Sequence, residues 1–403
     1  MKEMKSLALF GVILLLITSG LAQATIVTSD KSQQLQKVAD DYLQKYHNVE
    51  YISGVTLMAS DSSQLATVYS GHTDMSGSQL LNSKNLYQIG SIGKSFTSAI
   101  ILQLEATPSL HFSIDDKLST YLPQYSAWGD VTIRQMLNMT SGIPDYLSQD
   151  DFIADYTDNP NKNWLPEEIV DYVAKKPLLF PPGTAWNYSN TNYILAGMII
   201  TKLTGHSIEE EMNRRFFSPY NSSHLNLKNT HYITNHYPVF VTPRMTHGYM
   251  YKLHTSGKFF PPKTDMTYFS LSYGGAAGAI VSNTEDITQW IRALLTANKV
   301  LPAKQLNEFM SLVSVVTGKP LKTPDEKDPN GFGLGIGVSY AGKEIPGLVV
   351  NYEGETFGYR AQYFYFLNQN LLITGIVNSS VDASNDHLGK LLMNAYKAWN
   401  KLT

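Results

Sequence analysis

The chain carries the tetrapeptide Ser91-Ile92-Gly93-Lys94 directly before an apolar run, Phe96–Leu104. Such a run predicts a buried helix, and residues three positions apart share one helix face, so the lysine amine can lie beside the serine hydroxyl. Serine is a weak nucleophile until a base takes its proton, and burial lowers the pKa of a lysine enough for that role. A serine at a helix N-terminus can also offer its backbone N–H to an oxyanion.

The residues around this tetrapeptide partly match two other motifs, but neither match is complete. A phosphate-binding loop of the G-x-x-x-x-G-K-S type requires glycine where Gln88 stands. The G-x-S-x-G elbow of α/β-hydrolases requires glycine at the position of Ile89. The tetrapeptide therefore supports neither a nucleotide site nor an α/β-hydrolase.

A second segment, Tyr188-Ser189-Asn190, follows a Pro-Gly turn at residues 181–183. A phenol near an ammonium group can serve as a proton relay, because the positive charge lowers its pKa. An asparagine side chain can donate to a substrate carbonyl and accept from its amide. In isolation the segment also fits a turn followed by surface residues.

Further segments, which occur in a fixed order along the chain, support a functional interpretation of the two motifs. These segments are Ile114–Pro123, Thr132–Tyr146, Gly275–Asp286 and Gly354-x-x-x-Gly358-Tyr359. Together they closely resemble the serine β-lactamase-like hydrolases, a family that includes class C β-lactamases, D-alanyl-D-alanine carboxypeptidases of the same fold and related esterases. The resemblance extends over nearly the whole chain after its N-terminal segment, from about residue 51 to residue 401.

The resemblance implies a role for each motif residue. Ser91 would be the acylated nucleophile, and Lys94 and Tyr188 would share the proton transfers. The remaining positions would bind substrate, and Asn190 would hold its amide. The third family motif, on an edge strand, would place Gly354 beside the nucleophile. The backbone N–H of Glu355 would then lie in the oxyanion hole. Neither a metal nor an organic cofactor is implied.

The chain departs from the family pattern in the third motif. Tyr352 stands where the family has His or Lys, and Glu353 and Glu355 lie on either side of Gly354. The missing cation normally helps to bind a terminal carboxylate of the substrate, and related esterases carry an aromatic residue here. Arg360 could compensate if its side chain reaches the pocket. The two glutamates could equally face solvent on an edge strand.

Apolar periodicity outlines an α+β fold of the β-lactamase-like type. Strands are predicted in both terminal parts of the chain, at Tyr51–Ala59, Leu65–Gly71, Gly347–Tyr352, Ala361–Phe366 and Leu371–Val377, and amphipathic helices at Ser29–Asn48, Thr284–Thr296 and Asp386–Lys401. One antiparallel sheet built from both chain ends, flanked by helices, would form a sheet lobe of about residues 25–90 and 271–403. Residues 91–270, largely helical with long loops after residue 217, would form an inserted lobe.

The N-terminus has the pattern of a cleavable signal peptide, residues 1–24. Lys2 and Lys5 precede an apolar run at Leu7–Ile17, and Ala22-Gln23-Ala24 is a small-x-small cleavage site. The apolar run falls short of the about 20 residues that span a membrane. We therefore expect residues 25–403 to be a periplasmic or secreted domain without a stable membrane span.

Composition excludes several other classes of function. With 31 Lys and Arg against 34 Asp and Glu, the net charge of −3 gives no basic surface for nucleic acid. The absence of cysteine excludes disulfides, thiol catalysis and cysteine-based metal sites. The ten histidines, among them His231 and His236, lack metal-ligand spacing, so we predict no metal site.

Three functions remain open from the sequence, besides β-lactamase activity itself. The first is an exported serine hydrolase that resembles a D-alanyl-D-alanine carboxypeptidase and acts on peptidoglycan-type peptides. The second is an esterase for small acyl esters, which Tyr352 favours. The third is a penicillin- or peptide-binding protein without turnover. Each would bind a small peptide, ester or β-lactam, and the sequence leaves the oligomeric state open.

Overall fold

A computed structural model describes residues 25–26, 30–221, 223–234, 236–251, 259–342, 345 and 347–401. The predicted signal peptide, residues 1–24, lies outside the described residues. Across these ranges no helix is both long enough and apolar enough to cross a membrane.

Among the described residues, the main sheet has ten strands and draws on both ends of the chain. Their bounds are β1 Thr25–Ile26, β2 Gly54–Ser60, β3 Gln64–Gly71, β7 Leu312–Ser314, β8 Pro320–Leu321, β9 Asn330–Phe332, β10 Gly337–Tyr340, β11 Leu348–Thr356, β12 Tyr359–Phe366 and β13 Leu371–Val377. Their order is β1-β3-β2-β13-β12-β11-β10-β9-β7-β8, and all pairs are antiparallel except β1 with β3. A smaller sheet joins β4 Tyr87–Gln88, β6 Ile280–Ser282 and β5 His231–Tyr232.

Helices fill much of the middle of the chain, and two further helices near its ends pack against the sheet. The α-helices of the described residues are α1 Asp30–Glu50, α2 Lys94–Glu105, α3 Leu118–Tyr121, α4 Ile133–Leu137, α5 Asp150–Asp158, α6 Pro166–Asp171, α7 Thr191–Thr204, α8 Ile208–Met212, α9 Gly275–Gly278, α10 Thr284–Leu294, α11 Ala303–Phe309 and α12 Leu388–Asn400. Short 3-10 turns connect several of them, including one at Gly90–Gly93. The α+β class predicted from the sequence is confirmed.

Strand β13 shows why the sheet is buried on both sides. All seven of its residues are buried. Leu371 and Ile373 belong to the same apolar cluster as residues of α1 and α12. On the opposite face, Thr374 bonds Thr288 of α10 through their hydroxyls at 2.9 Å. A strand covered on both faces is almost continuously apolar, and this run of residues, not an alternating pattern, located the strand in the sequence.

Some elements differ from the sequence-based expectation. Strand β11 continues to Thr356, beyond its expected end at residue 352. The strands of residues 312–340 were not predicted, because they are two to four residues long and lack a clear alternation. Strand β5 lies within residues 91–270, which were expected to be helices and loops, and the division into two lobes stays a prediction.

Candidate active site

Ser91 lies in the tight turn Gly90–Gly93, and helix α2 begins directly after it at Lys94. The turn packs closely against strand β11. Gly90 has φ +47°, and a Cβ there would lie 2.4 Å from the carbonyl oxygen and 2.7 Å from the backbone nitrogen of Glu355. Only glycine fits this contact, which brings the Glu355 backbone alongside the serine turn.

Lys94 is fully buried beneath Ser91, and its Nζ has three polar contacts. It donates to Asn190 Oδ1 at 2.7 Å and to the carbonyl oxygen of Ala277 at 3.0 Å, and it lies 2.9 Å from Ser91 Oγ. Burial lowers the pKa of Lys94 to about 7, although the negative charge of Asp145 opposes this shift.

This geometry suits a neutral amine at the lysine. A neutral amine has two N–H bonds and one lone pair, and Asn190 Oδ1 and the Ala277 carbonyl accept the two N–H groups. The lone pair is then left for the third contact, the hydroxyl of Ser91. Lys94 can therefore accept the serine proton once it is deprotonated.

Tyr188 contacts the serine from the other side. Its hydroxyl donates to Ser91 Oγ at 2.6 Å and lies 3.4 Å from the hydroxyl of Tyr352. Burial raises the pKa of Tyr188 well above its usual value, so the phenol is neutral near pH 7. The neutral O–H is a proton donor beside Ser91, and Lys94 is the better base.

Asn190 connects Lys94 to a half-buried carboxyl group that sequence reasoning missed, that of Asp145. Asp145 accepts from Asn190 Nδ2 at 3.0 Å and from the Asn190 backbone N–H at 3.1 Å. Burial raises the pKa of Asp145, although these hydrogen bonds oppose the shift. Asp145 thereby fixes the amide so that Oδ1 faces Lys94. The only sequence signal was the segment Thr132–Tyr146, which carried the resemblance but gave Asp145 no role.

Strand β11 places Tyr352 and Gly354 on the face toward the serine. A Cβ on Gly354 would lie 1.9 Å from the carbonyl oxygen of Ile89 and 2.9 Å from the backbone nitrogen of Ile92. The absence of a side chain at Gly354 is thus what lets the strand approach the turn. The strand is an interior one, between β10 and β12, so the expectation of an edge strand is wrong.

The charged neighbours of Gly354 lie on the other face of the sheet, because strand residues alternate. Glu355 pairs with Arg360 in register, and its carboxylate accepts from the backbone N–H of Val381 at 3.1 Å. Glu353 lies 3.3 Å from the amide of Gln362. Neither glutamate side chain is directed at Ser91, so the pocket alternative is wrong. Glu355 is exposed and Glu353 is half-buried, but on an interior strand and not on the expected edge strand.

Arg360 does not compensate for the missing cation. Its guanidinium is fully buried and donates to Glu50 Oε2 and to Asp386 Oδ1, each at 2.6 Å. These acceptors lie on or beside α1 and α12, on the face of the sheet opposite Ser91. The arginine therefore joins the N-terminal and C-terminal helices to the sheet.

Six of the seven predicted site residues lie together around Ser91 in the structure. These are Ser91, Lys94, Tyr188, Asn190, Tyr352 and Gly354, and Glu355 contributes through its backbone alone.

The family model described as Beta-lactamase matches residues 39–396. The chain belongs to the beta-lactamase family. The family resemblance inferred from the sequence is thereby confirmed, and with it the coarse activity, that of a serine hydrolase.

Two relatives in this family share about a quarter of their aligned residues with the chain. "Penicillin-binding protein 4*" of Bacillus subtilis (strain 168) is 25% identical over 335 residues, which are 81% of this chain and 68% of that protein. Protein flp of Staphylococcus aureus (strain N315) is 26% identical over 274 residues, 66% of this chain and 50% of that protein. The chain thus spans about two thirds of one relative and half of the other.

Solved structures of beta-lactamase-family fold align over nearly the whole chain. D-amino acid amidase from Ochrobactrum anthropi SV3, complexed with L-phenylalanine amide, gives a TM-score of 0.74 at 23% identity and covers 93% of this chain and 99% of its own. D-stereospecific amidohydrolase from a Streptomyces species gives 0.72 at 24% identity, with 91% and 98% covered. At these identities the alignments establish the shared fold.

Proposed function

We propose that this protein is an acyl-serine hydrolase that cleaves the amide bond of D-amino-acid peptides or amides, in the manner of a D-alanyl-D-alanine carboxypeptidase. The observation that carries the proposal is the pair of contacts at Ser91 Oγ. Tyr188 donates to it at 2.6 Å, and the Nζ of Lys94 lies 2.9 Å away with its other two positions occupied. The names of the structural relatives, an amidase and an amidohydrolase, support the substrate class.

Acylation follows from this arrangement. Ser91 Oγ attacks the substrate carbonyl carbon while its proton moves to Lys94, which changes from amine to ammonium. The carbonyl oxygen takes up negative charge and is bound by the backbone N–H groups of Ser91 and Glu355. The C–N bond then breaks, the leaving nitrogen receives a proton from Tyr188, and the Lys94 ammonium returns a proton to Tyr188, so that both side chains are neutral again.

Deacylation reverses the roles with water as the acceptor. Water attacks the acyl carbon, its proton passes to the Tyr188–Lys94 pair, and Ser91 Oγ leaves and is protonated again. Asn190 holds the substrate amide during both steps, and Asp145 keeps Asn190 in position. Neither a metal nor an organic cofactor takes part in the proposed steps.

A second candidate, hydrolysis of small acyl esters, is favoured by Tyr352. Burial raises the pKa of Tyr352 well above its usual value, so a neutral phenol occupies the position where the family has a cation. Its hydroxyl meets Tyr188 at 3.4 Å, and its ring lies 5.6 Å from that of Phe332. A neutral, aromatic wall gives no electrostatic attraction to a terminal carboxylate.

The experiment compares kcat/KM for a D-Ala-D-Ala peptide, a D-amino-acid amide, its L-enantiomer and a short p-nitrophenyl ester. Faster cleavage of the D-peptide or D-amide than of the other two supports the proposal, and preference for the ester supports the second candidate. A stable penicillin adduct without turnover of any substrate would make the protein a penicillin-binding non-enzyme. Ser91→Ala serves as the background for each substrate.

We also propose that the protein is exported and acts in the periplasm or outside the cell. The support is the pattern of residues 1–24, with two lysines, an apolar run and a small-x-small site. N-terminal sequencing of the protein recovered from the cell envelope or medium would give a mature chain that starts at Thr25. Recovery of the intact N-terminus would contradict cleavage.

A further inference from the structure

Four aromatic side chains form a closed ring beside the nucleophile, and we call them the aromatic cluster: Trp186, Tyr188, Phe332 and Tyr352. The ring centroid of Trp186 lies 6.5 Å from that of Tyr188 and 5.7 Å from that of Phe332. Phe332 in turn lies 5.6 Å from Tyr352. The hydroxyls of Tyr352 and Tyr188, 3.4 Å apart, close the ring.

The aromatic cluster begins at the serine and is partly open to solvent. The hydroxyl of Tyr188 lies 2.6 Å from Ser91 Oγ. Phe332 is buried at the base of the cluster, whereas Trp186, Tyr188 and Tyr352 are each half-buried. The three half-buried rings therefore present aromatic surface close to the reacting atom.

The chain on either side of Trp186 is fixed by close packing. The backbone N–H of Asn187 donates to the carbonyl of Met139 at 3.0 Å. Gly318 has φ +68°, and a Cβ there would lie 2.3 Å from the carbonyl carbon of Ala185, the residue before Trp186. The indole is thus held in place before a substrate binds, which lowers the entropic cost of binding against it.

The aromatic cluster lies on the leaving-group side of Ser91. In the proposed reaction Tyr188 protonates the leaving nitrogen, so the group attached to that nitrogen lies against the neighbours of Tyr188. Those neighbours are Trp186 and Tyr352. The position of Tyr352 is also the one at which the family has a cation for a terminal carboxylate, which belongs to the same part of the substrate.

The charges around the aromatic cluster favour a neutral leaving group. Tyr352 supplies no positive charge for a carboxylate, and Arg360 is held by Glu50 on the opposite face of the sheet. A cationic leaving group is disfavoured as well, because Lys94 Nζ lies 4.9 Å from the centroid of the Tyr188 ring and becomes an ammonium when it takes the serine proton. An aromatic ring, by contrast, gains an attraction to neighbouring rings beyond the burial of its area.

We infer that the aromatic cluster is a leaving-group subsite that selects a neutral aromatic ring. The preferred substrates of this hydrolase are then amides that D-amino acids form with arylalkyl amines. Trp186 and Tyr352 contact the ring of the leaving group, and Phe332 supports both from below. The orientation of the substrate rests on the proposed function, whereas binding at the subsite can be measured without turnover.

Amides of D-alanine with four amines of related shape test the inference: benzylamine, cyclohexylmethylamine, 4-carboxybenzylamine and 4-(aminomethyl)benzylamine. All four form the same D-alanyl ester at Ser91, so differences in kcat/KM report on the leaving-group side. We expect the benzyl amide to have the highest kcat/KM of the four. Equal or faster cleavage of either charged amide would overturn the preference for a neutral group.

The matched variants are Trp186→Leu, Trp186→Phe and Phe240→Leu, the last an exposed residue outside the aromatic cluster. The ratio of kcat/KM for the benzyl amide over the cyclohexylmethyl amide should fall about fivefold in Trp186→Leu, the worth of one aromatic pair. The ratio should persist in Trp186→Phe and in Phe240→Leu. Comparing ratios between variants cancels the different basicity of the two amines. An unchanged ratio in Trp186→Leu would contradict the subsite.

Binding without turnover separates the subsite from the proposed function. Dissociation constants of the benzyl and cyclohexylmethyl amides are measured in Ser91→Ala and in the double variant Ser91→Ala/Trp186→Leu. A preference for the benzyl amide that disappears with Trp186 supports the subsite even if the wild type cleaves no amide, an outcome that would count against the proposed function alone. Equal affinities of Ser91→Ala for the two amides would overturn the subsite, whichever substrates the wild type cleaves.

Discussion

The Nζ of Lys94 lies 2.9 Å from the Oγ of Ser91, and its two remaining hydrogen-bond positions are occupied by Asn190 and the Ala277 carbonyl. A lysine held in this way can act as a base only when it is neutral. Burial lowers its pKa to about 7, which brings the neutral form within reach near physiological pH. The pH dependence of acylation is therefore a direct consequence of this contact.

We predict that kcat/KM rises with pH through about 7 and then levels off. Below this pH Lys94 is protonated and cannot accept the serine proton, and above it the amine is free. Lys94→Arg should remove the rise together with nearly all activity, because a guanidinium stays charged. The measurement is a pH profile of kcat/KM for an uncharged ester or amide. A flat profile for the wild type would contradict the assigned role of Lys94.

Gly354→Ala should reduce acylation about a hundredfold or more, the usual effect of losing an oxyanion donor. The new Cβ would lie 1.9 Å from the Ile89 carbonyl oxygen, so β11 must move away from the serine turn. The matched control is Gly389→Ala in α12, where the nearest atom to a Cβ is 3.6 Å away. Rates of single-turnover acylation should fall only in the first variant, and equal rates would contradict the placement of the Glu355 backbone.

Tyr352→Lys should shift selectivity toward substrates that end in a carboxylate. It restores a cation beside Tyr188, whereas Tyr352→Phe removes only the hydroxyl that lies 3.4 Å from Tyr188. We expect the ratio of kcat/KM for a free peptide over its C-terminal amide to rise about tenfold in the lysine variant. The ratio in the phenylalanine variant should match the wild type. If both variants leave the ratio unchanged, Tyr352 does not face the substrate terminus.

Arg360→Met should destabilise the fold by about 3–5 kcal/mol, because it leaves Glu50 and Asp386 without their buried cation. The ratio of kcat/KM for a free peptide over its C-terminal amide should not change, because the guanidinium lies on the face of the sheet opposite Ser91. Lys37→Ala is the control, because Lys37 and its partner Asp41 are both exposed and the loss of this pair should cost no more than about 1 kcal/mol. Denaturant unfolding provides the comparison. A changed ratio in the folded variant would place Arg360 at the substrate.

The sequence predicted the parts of the site that depend on local spacing. Ser91 and Lys94 lie on one face because three positions separate them, and the helix that follows is apolar. No role was predicted for Asp145, because its contacts with Asn190 join residues 45 positions apart and no local pattern encodes them.

The same dependence on contacts between residues distant in sequence explains why the surroundings of Gly354 were predicted wrongly. Whether Glu353, Glu355 and Arg360 face the pocket depends on the strand's register and on which neighbours flank it. Those follow from pairing with β10 and β12 and from the packing of α1 and α12. The edge position of β11 was what the family resemblance implied, and strands β7 to β10, which lie beyond β11 in the sheet, are too short for periodicity to reveal.

The most direct test of the account is the intact mass of the protein after exposure to a fluorophosphonate, in the wild type, Ser91→Ala and Ser95→Ala. Ser95 is one helical turn further on, and its Oγ is occupied by the Ile92 carbonyl and the Trp290 indole. We predict a gain of one phosphonyl group in the wild type and in Ser95→Ala, and no gain in Ser91→Ala. Full labelling of Ser91→Ala, or none of the folded wild type, would contradict the assignment of Ser91 as the nucleophile.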